Sequence, residues 1–482
     1  MQTMKQVSLS SIIYAIGSAA NSAALFVIVP FLINTLNAEE YGAWSIFEVA
    51  IFFINMLILA GLEVGLMREY WQQTDETLRA RLVGTVVITV GLLGTIISGI
   101  GALVVLSGIG GDLPGSPLTL MLVLAIGWSD ACFRLILTVF RIREQPWIFI
   151  TLSFLQLGGF ALLLVGFLYA GFGLIGALTA RLLASVGLFF AGLVIGRRFI
   201  QWRIDQTAIW RIARYGLPLL PTNIAAYILL AADRYVIQYA LSLEAVAIYT
   251  FAYKIATILD VFVTRPFAMD WAPRRFKIAT QLDPEQSYVQ ILLLYLWVAT
   301  TFALIVMAVT PLIYKLIAPI TYWSGIEIVS IILLAYIIYG LSYPLNVGIM
   351  LKDRTQDLPI IGTIAAVSCL GLCLWWIPIY GINGAAWATV VSYLVWTGLI
   401  AVDSLRIYPI KYPLKIIGGM IGCGILVYGG LWWSNTVWPD VHLEIIGLRV
   451  GWVVTIMGGL GIGLWRYVHR KPAAILDHPL NA

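Results

Sequence analysis

Apolar runs long enough to cross a lipid bilayer follow one another along almost the whole chain, separated by short polar turns. The first run is longer than the apolar core of a secretory signal and others follow it, so we predict that it is retained as a helix. A membrane-spanning helix needs about 20 mostly apolar residues. Fourteen segments meet this requirement: residues 9–34, 44–66, 82–106, 118–140, 147–169, 173–196, 215–238, 246–264, 289–314, 325–349, 358–379, 383–402, 414–433 and 443–465. The pattern therefore predicts an all-α polytopic membrane protein with 14 transmembrane helices.

The composition agrees with a membrane protein and excludes most soluble classes. Of 482 residues, 61% are hydrophobic and only 11% are charged, whereas a soluble domain has about 25% charged residues. So few charges could not cover a surface that faces water, which argues against soluble enzymes, nucleic-acid-binding proteins and disordered proteins. The chain contains no catalytic or metal-binding motif. We therefore expect no enzyme activity, no bound metal or other cofactor, and no nucleic-acid partner.

The distribution of basic residues predicts the orientation of the chain. Of the 29 basic residues, 23 fall in every second loop, in the tails or, like Lys415, at the end of a span next to such a loop. Apart from Lys315, which directly follows the ninth span, the intervening loops contain no Lys or Arg and instead contain acids such as Glu39, Glu40 and Asp112. Because Lys and Arg concentrate on the cytoplasmic side of membrane proteins, we predict that both termini lie in the cytoplasm.

Short segments recur in order at a nearly constant spacing and indicate an internal duplication. The pairs are residues 36–45 with 241–250, 141–144 with 351–354, and 173–177 with 381–385. Six helices per repeat give both halves the same orientation. We therefore predict two parallel six-helix lobes, 1–200 and 201–405, followed by two additional helices and a tail in 406–482. Such repeats are typical of transporters whose substrate site lies between the lobes; the alternative is a duplication that only enlarged a membrane scaffold.

Several motifs resemble those of a known transporter family. They are Glu40-Tyr41-Gly42-Ala43-Trp44 after the first span, Gly65 and Arg68 at the end of the second, Arg141 to Pro146 after the fourth, Tyr215 to Pro221 leading to Asp233-Arg234-Tyr235 in the seventh, and Ile248-Tyr249 in the eighth. Over residues 1 to about 403 their order resembles the polysaccharide transporter family of oligosaccharide-lipid flippases. That family belongs to the multidrug/oligosaccharidyl-lipid/polysaccharide exporter superfamily. Fourteen predicted helices, and a first helix without a charge, favour this branch over the multidrug exporters.

The resemblance implies a two-lobed, inverted-V fold in the bacterial cytoplasmic (inner) membrane. It also implies a function, the export by alternating access of an undecaprenyl-diphosphate-linked oligosaccharide that serves as an O-antigen, capsule or exopolysaccharide unit. Membrane lipids and polysaccharide assembly proteins are the further partners that it implies. Two alternatives stay open: a multidrug or small-solute, cation-coupled antiporter of the same fold, and a membrane-embedded glycan polymerase or ligase. The second alternative lacks the large extracytoplasmic loop that would hold acceptor sugars.

Basic and polar residues inside the spans are the candidate substrate contacts. An ionisable group deep in a span costs at least about 2.5 kcal/mol and should face a cavity or a partner. Arg and Lys in such a cavity would meet the diphosphate of a lipid-linked sugar. Arg134 lies one turn from Asp130, so a structural pair at i, i+4 is its alternative role. The predicted substrate-binding residues are Arg181, Arg234, Lys254, Arg134, Asn223 and Tyr227, the last two sharing a helix face with Arg234.

Acidic residues inside the spans suggest a second role, the coupling of transport to an ion gradient. A carboxylate in a medium of low dielectric can exchange a proton or hold a cation, so a proton or Na⁺ is the candidate coupling ion. The alternative is that each acid only neutralises a buried base. The candidates are Glu48, Glu63, Asp130, Asp233 and Asp260; Glu48 and Glu63 are placed on one face of a continuous second helix.

Overall fold

The computed structural model describes residues 28–108, 114–281, 283–437 and 442–470, and every regular element in these ranges is a helix. Within them, 12 helices or runs of consecutive helices are long and apolar enough to cross a membrane. The all-α polytopic architecture is thereby confirmed. The predicted first span, 9–34, lies mostly outside the described residues, so the number fourteen and the orientation of the termini stay predictions.

We number the helices in chain order, starting from the described part of the first. They are α1 (28–35), α2 (Ala38–Leu59), α3 (Leu62–Gln72), α4 (Glu76–Leu106), α5 (Pro117–Ile142), α6 (Pro146–Tyr169), α7 (Gly173–Gly196), α8 (Gln206–Gly216), α9 (Leu220–Ala240), α10 (Leu243–Leu259), α11 (Arg265–Ile278), α12 (Pro284–Ile317), α13 (Ile326–Leu345), α14 (Val347–Leu351), α15 (Asp357–Ile407), α16 (Leu414–Val437) and α17 (Leu443–Arg470).

Helix α15 is a helical hairpin rather than one rod. Its 51 residues would form a rod of about 76 Å, more than twice the thickness of the hydrocarbon core. Gly381 interrupts it with φ 62° and ψ −145°, a conformation that only glycine adopts readily. A Cβ added at Gly384 would collide with the carbonyl oxygen of Trp376, eight residues earlier, so the chain reverses here. Two predicted spans, 358–379 and 383–402, therefore meet at this turn.

The chain divides into two compact units, Met1–Tyr227 and Ile228–Ala482, with the boundary inside α9. The core of the first unit contains buried aliphatic and aromatic side chains from α2 to α8, among them Phe133 and Phe140 of α5. In the second unit, α16 and α17 pack against α12 through a separate cluster that contains Leu304, Val427 and Val453. The two additional helices of the sequence are thus attached to one helix of the second unit.

The three repeated segments have matching local geometry in the two units. Asn37 and Ser242 both cap a helix N-terminus with their side chains. Gly173 and Gly381 both have a positive φ at a helical hairpin. The third pair of segments, 141–144 and 351–354, each contains a non-glycine residue in the left-handed region, Glu144 as the fourth residue and Asp353 as the third, which is uncommon for such residues. Similar caps, turns and hairpins in the paired segments support the duplication that the sequence indicates.

The second predicted span, 44–66, is not one helix, which corrects the expectation of a continuous second span. Ala60 and Gly61 take left-handed conformations, with φ 45° and 75°, and separate α2 from α3. A Cβ at Gly61 would collide with the carbonyl oxygen of Gly216 at the end of α8. The helix breaks because α8 approaches it backbone to backbone.

Helix α8 is short and strongly amphipathic, and it begins at a side-chain cap. The Asp205 carboxylate accepts hydrogen bonds from the backbone N–H groups of Thr207 and Ala208. The Thr207 hydroxyl also donates to it, at 2.7 Å, and these bonds lower the pKa of Asp205. A carboxylate at this position also interacts favourably with the helix dipole.

Candidate functional site

A carboxylate and a guanidinium pair near the middle of the first unit. Arg181 of α7 donates to an Asp130 oxygen of α5 at 3.0 Å, and the Ser185 hydroxyl donates to the other oxygen. Gln156 of α6 approaches the Ser185 hydroxyl at 3.5 Å. At 1.5 Å per residue, Asp130 lies about 1 Å and Arg181 about 5 Å from the midpoints of their helices. The pair is therefore at the depth of the hydrocarbon core.

The Arg181 side chain is only partly covered by the protein in spite of this depth. It is 25% exposed, whereas Asp130 is 10% exposed. One carboxylate contact uses only part of the five N–H donors of a guanidinium. Arg181 therefore has donors left for an anionic ligand, which planar guanidinium groups bind in bidentate fashion.

Arg134 occupies the same region without pairing to Asp130, which corrects the i, i+4 pair considered from the sequence. The Asp130 oxygens instead accept from Arg181 and Ser185 on α7, because α5 and α7 pack side by side. The Arg134 guanidinium lies 5.9 Å from the ring centre of Phe52 of α2. Arg134 is exposed at about 7 Å from the midpoint of α5. A cation exposed at that depth requires a hydrated surface rather than lipid.

The second unit contains an enclosed ion pair between sequence neighbours on α9. Arg234 donates to Asp233 at 3.1 Å and to the carbonyl oxygen of Leu230 at 3.0 Å. The Tyr249 hydroxyl donates to the other Asp233 oxygen at 2.6 Å and lies 3.5 Å from the Thr389 hydroxyl. The side chains of Asp233 and Arg234 are only 4% and 10% exposed. This pair joins α9 to α10 and to the second half of α15.

Tyrosine rings surround the Arg234 guanidinium. It lies 4.6 Å from the ring centre of Tyr253 and 5.9 Å from that of Tyr249. Tyr253 packs edge-on against Tyr336 of α13 at 5.8 Å, and Tyr336 contacts Tyr393 at 6.5 Å. Cation–π contacts of this kind are worth about 2 kcal/mol or more where water is excluded. These hydrogen bonds and ring contacts of the Arg234 guanidinium are all with residues of the second unit.

The remaining predicted substrate contacts are dispersed. Tyr227 is buried, donates a hydrogen bond to the carbonyl oxygen of Val49 and stacks on Phe52 at 5.4 Å. Asn223, one turn earlier on α9, is exposed. Lys254 is half-buried on α10, next to Tyr253. The shared helix face of Asn223, Tyr227 and Arg234 thus contains one exposed and two buried side chains and is not a continuous hydrated stripe.

The predicted acids are also distributed differently from the expected arrangement. Glu48 lies half-buried on α2, while Glu63 lies in the first turn of α3 beyond the break. A shared face for Glu48 and Glu63 is therefore wrong, because it assumed one continuous helix. Asp260 begins a π-helical turn, Asp260–Thr264, and accepts from Arg265 at 2.7 Å. The predicted eighth span ends at residue 264, but the helical run continues through Arg265 into α11.

From the sequence, no site role was assigned to Ser185, Tyr249, Tyr253 or Thr389, although Tyr249 belongs to one of the family motifs. Ser185 follows Arg181 by four residues on α7, which was an available signal for a shared face. Tyr253 carried no comparable signal among the 23 tyrosines of the chain. Within the described residues no group of three or more His, Cys, Asp or Glu side chains could hold a metal ion.

Solved structures of a flippase and of a multidrug transporter have a fold similar to that of this chain. The structure is similar to that of the lipid II flippase MurJ in an inward closed conformation, with a TM-score of 0.69 and 13% identity over 96% of this chain and 99% of that chain. It is also similar to the inward-facing conformation of a multidrug resistance MATE family transporter of the MOP superfamily, with a TM-score of 0.64 and 17% identity over 81% of this chain and 95% of that one. The outward-facing conformation gives a TM-score of 0.53 and 18% identity over 84% and 96%.

Comparison of the sequence with protein families assigns the chain to one of them. Residues 8–279, more than half of the chain, match the family described as "Polysaccharide biosynthesis protein". No curated protein sequence matches significantly. The resemblance seen in the sequence motifs is confirmed by this match and by the fold. The chain belongs to the polysaccharide biosynthesis protein family and is a multi-pass integral protein of the cytoplasmic membrane with the fold of the multidrug/oligosaccharidyl-lipid/polysaccharide exporters.

Proposed function

We propose that this protein translocates a lipid-diphosphate-linked oligosaccharide across the bacterial cytoplasmic membrane by alternating access. The substrate class is an undecaprenyl-diphosphate-linked unit of a surface polysaccharide. The observation that carries the proposal is the partly exposed pair of arginines, Arg134 and Arg181, at the depth of the hydrocarbon core in the first unit. Family membership and the fold of a lipid II flippase support it.

The chemistry of the first unit suits a diphosphate headgroup. Arg181 pairs with Asp130, and Arg134 follows Asp130 by one turn of α5, so these three residues together have one more positive than negative charge. A diphosphate carries the complementary charge and offers oxygens for bidentate contacts. The prenyl chain has no need of a polar path, because it can stay in lipid while the headgroup crosses. Binding and release require no covalent step.

The experiment that tests the proposal is depletion of the protein from a producing cell, followed by analysis of the lipid fraction. We expect an undecaprenyl-diphosphate-linked oligosaccharide to accumulate, inaccessible to a glycosidase added outside intact spheroplasts. Wild-type protein supplied from a plasmid should clear it. Accumulation of an externally accessible intermediate would point to a later step, such as polymerisation, and contradict the proposal.

An ion-coupled antiporter is the second candidate, because the fold is also that of MATE family transporters. A drug-sensitive host that expresses the protein distinguishes the two candidates. A flippase leaves drug susceptibility unchanged and restores surface polysaccharide to a depleted strain. Drug resistance without restoration would favour the antiporter.

If an ion gradient drives translocation, we propose Asp130 as the coupling carboxylate. Protonation of Asp233 would leave the enclosed Arg234 without its counter-charge, at a large energetic cost. Protonation of Asp130 would also leave Arg181 without its counter-charge, but Arg181 is partly exposed, so water could solvate its charge at a lower energetic cost. Vesicles in which the proton gradient, the Na⁺ gradient and the membrane potential are collapsed separately test this idea. Translocation that is unaffected by all three treatments removes the coupling proposal.

A further inference from the structure

Residues 197–216, which we name the strap, cross the ends of several spans of the first unit. The strap follows α7 and ends with α8. Its backbone is tied to the start of α4, since the Gln201 N–H donates to Ala80 at 2.9 Å and the Thr85 hydroxyl donates to the Arg203 carbonyl at 3.0 Å. The Arg143 guanidinium at the end of α5 lies 3.9 Å from the ring centre of Phe199. The strap therefore lies at the level where α4, α5 and α7 leave the apolar layer.

One face of α8 is docked on α3. Cβ atoms at Gly61 and Gly65 would collide with the carbonyl oxygens of Gly216 and Ile212. Arg211 donates to the buried Glu69 at 3.1 Å. These contacts fix the helix direction and leave the opposite face unpartnered.

The exposed side chains of the strap, and of Leu217 directly after it, are aromatic, aliphatic and basic. Trp202 is 59% and Trp210 70% exposed. Arg214 follows Trp210 at i+4 and shares its face of α8, and Leu217 follows Trp210 at i+7 just beyond the end of α8; both are exposed. Trp with Arg is the combination found where helices meet lipid headgroups.

Four arginines of the strap have no acidic partner within the described ranges. The strap's Asp205 is approached by Arg81 of α4 at 3.9 Å, and Glu69 is bound by Arg211. The exposed residues Arg197, Arg198, Arg203 and Arg214 form no ion pair there. The strap therefore has an excess of positive charge.

We propose that the strap is a binding surface for anionic phospholipid headgroups. Trp202, Trp210 and Leu217 would enter the headgroup layer, and Arg203 and Arg214 would bind the phosphate groups. Apolar contact and charge attraction act together in such helices, and each basic residue near an anionic surface contributes about a fivefold gain in binding. The lipid is a constituent of the bilayer rather than the transported substrate, so this inference stands apart from the proposed function.

The test uses the full-length protein in mixed vesicles of phosphatidylglycerol and phosphatidylcholine, one of which carries brominated acyl chains. The fluorescence lost on replacing Trp210 by Phe isolates the signal of that residue. We expect brominated phosphatidylglycerol to quench this signal more than brominated phosphatidylcholine, with a preference that declines at high salt. Equal quenching by the two lipids, or quenching by neither, overturns the proposal.

A matched pair of variants assigns the preference to the strap. Arg203→Gln/Arg214→Gln should reduce it by about fivefold for each arginine removed. Arg274→Gln/Arg354→Gln removes the same charge from exposed arginines that are already paired with Asp270 and Asp357 in the second unit, and it should leave the preference unchanged. Equal losses in both variants would show a nonspecific effect of net charge and contradict the assignment.

Discussion

Near the middle of α5 and α7, the first unit has the hydrogen-bonded side chains of Asp130, Arg181 and Ser185. The duplication relates Arg181 and Ser185 of α7 to Thr389 and Tyr393 of α15 in the second unit, and the Tyr393 ring contacts that of Tyr339 of α13 at 5.0 Å. The second unit thus has a threonine and a tyrosine at the α15 positions that correspond to Arg181 and Ser185. Its own ion pair lies on α9 and is enclosed by tyrosines, whereas Arg181 is 25% exposed.

This difference separates two uses of an intramembrane charge. The first use is structural: an enclosed ion pair whose contacts all lie within one unit connects the helices of that unit. Breaking such a pair should destabilise the unit. A pair with a partly exposed guanidinium can still take an external anion, and altering it should affect transport. Arg234, predicted from the sequence as a substrate contact, has the geometry of the first class, and Arg181 has that of the second.

The largest expected effect is on stability in the second unit. Arg234→Ala leaves the buried Asp233 without its counter-charge and should reduce the free energy of unfolding by about 3–5 kcal/mol. Thermal unfolding of the purified protein in detergent measures this change. The control is Arg274→Ala, which breaks an exposed pair and should cost about 1 kcal/mol or less. Equal melting temperatures for the two variants would show that the pair does not connect the helices.

Neutralising both members of each pair separates stability from transport. Asp130→Asn/Arg181→Gln leaves neither member of the pair as a charge without its partner, so it should fold, but loss of a charged contact worth about 1.5–3 kcal/mol should reduce transport by about 10- to 100-fold. Asp233→Asn/Arg234→Gln is the matched control, and its folded fraction should keep transport within a few-fold of wild type. Initial translocation rates in vesicles, normalised to folded protein, provide the measurement. A lower translocation rate for the Asp233/Arg234 variant than for the Asp130/Arg181 variant would contradict the assignment of stability to the first pair and transport to the second.

The hairpin glycines test whether the two units are structurally equivalent. Ala at Gly381 would have to adopt φ 62° and ψ −145°, which costs about 1–3 kcal/mol. Gly173→Ala, at φ 52°, should cost about 1–2 kcal/mol. Gly371→Ala is the control, since it lies inside a helix with open space around its Cβ. Thermal unfolding should show losses only for the two hairpin variants; a loss confined to one unit would contradict equivalent turns.

The smallest expected effect on stability is that of Arg134. Arg134→Leu removes a contact with Phe52 at 5.9 Å, worth about 0.5–1 kcal/mol at an exposed site. Transport should nevertheless fall several-fold, and Arg134→Lys, which keeps the charge, should recover part of it. Comparison of melting temperature with translocation rate checks the prediction. A variant that transports normally would remove Arg134 from the substrate path.

The sequence predicted features that depend on local chemistry. Hydrophobicity located the spans and with them the turns near Gly173 and Gly381, where one predicted span ends and the next begins; the structure shows that both glycines have a positive φ there. Asp130 and Arg181 stood out because ionisable residues are rare in apolar segments.

Features that depend on packing between helices were not predictable in the same way. Asp130 pairs with Arg181 rather than Arg134 because α5 and α7 lie side by side, which no spacing along one helix reveals. The break at Gly61 arises from the approach of α8, a contact between segments about 150 residues apart. Tyr249 and Tyr253 acquire their roles only when α9, α10 and α13 come together.

The most direct test of the central claim is translocation by purified protein in vesicles that contain a fluorescent undecaprenyl-diphosphate-linked oligosaccharide. Loss of the label's protection from an external quencher or glycosidase reports crossing of the headgroup. The account predicts that wild-type protein and Asp233→Asn/Arg234→Gln translocate the lipid, while Asp130→Asn/Arg181→Gln does so at least about tenfold more slowly. No translocation by wild-type protein, or equal rates for wild type and the Asp130/Arg181 variant, would contradict it.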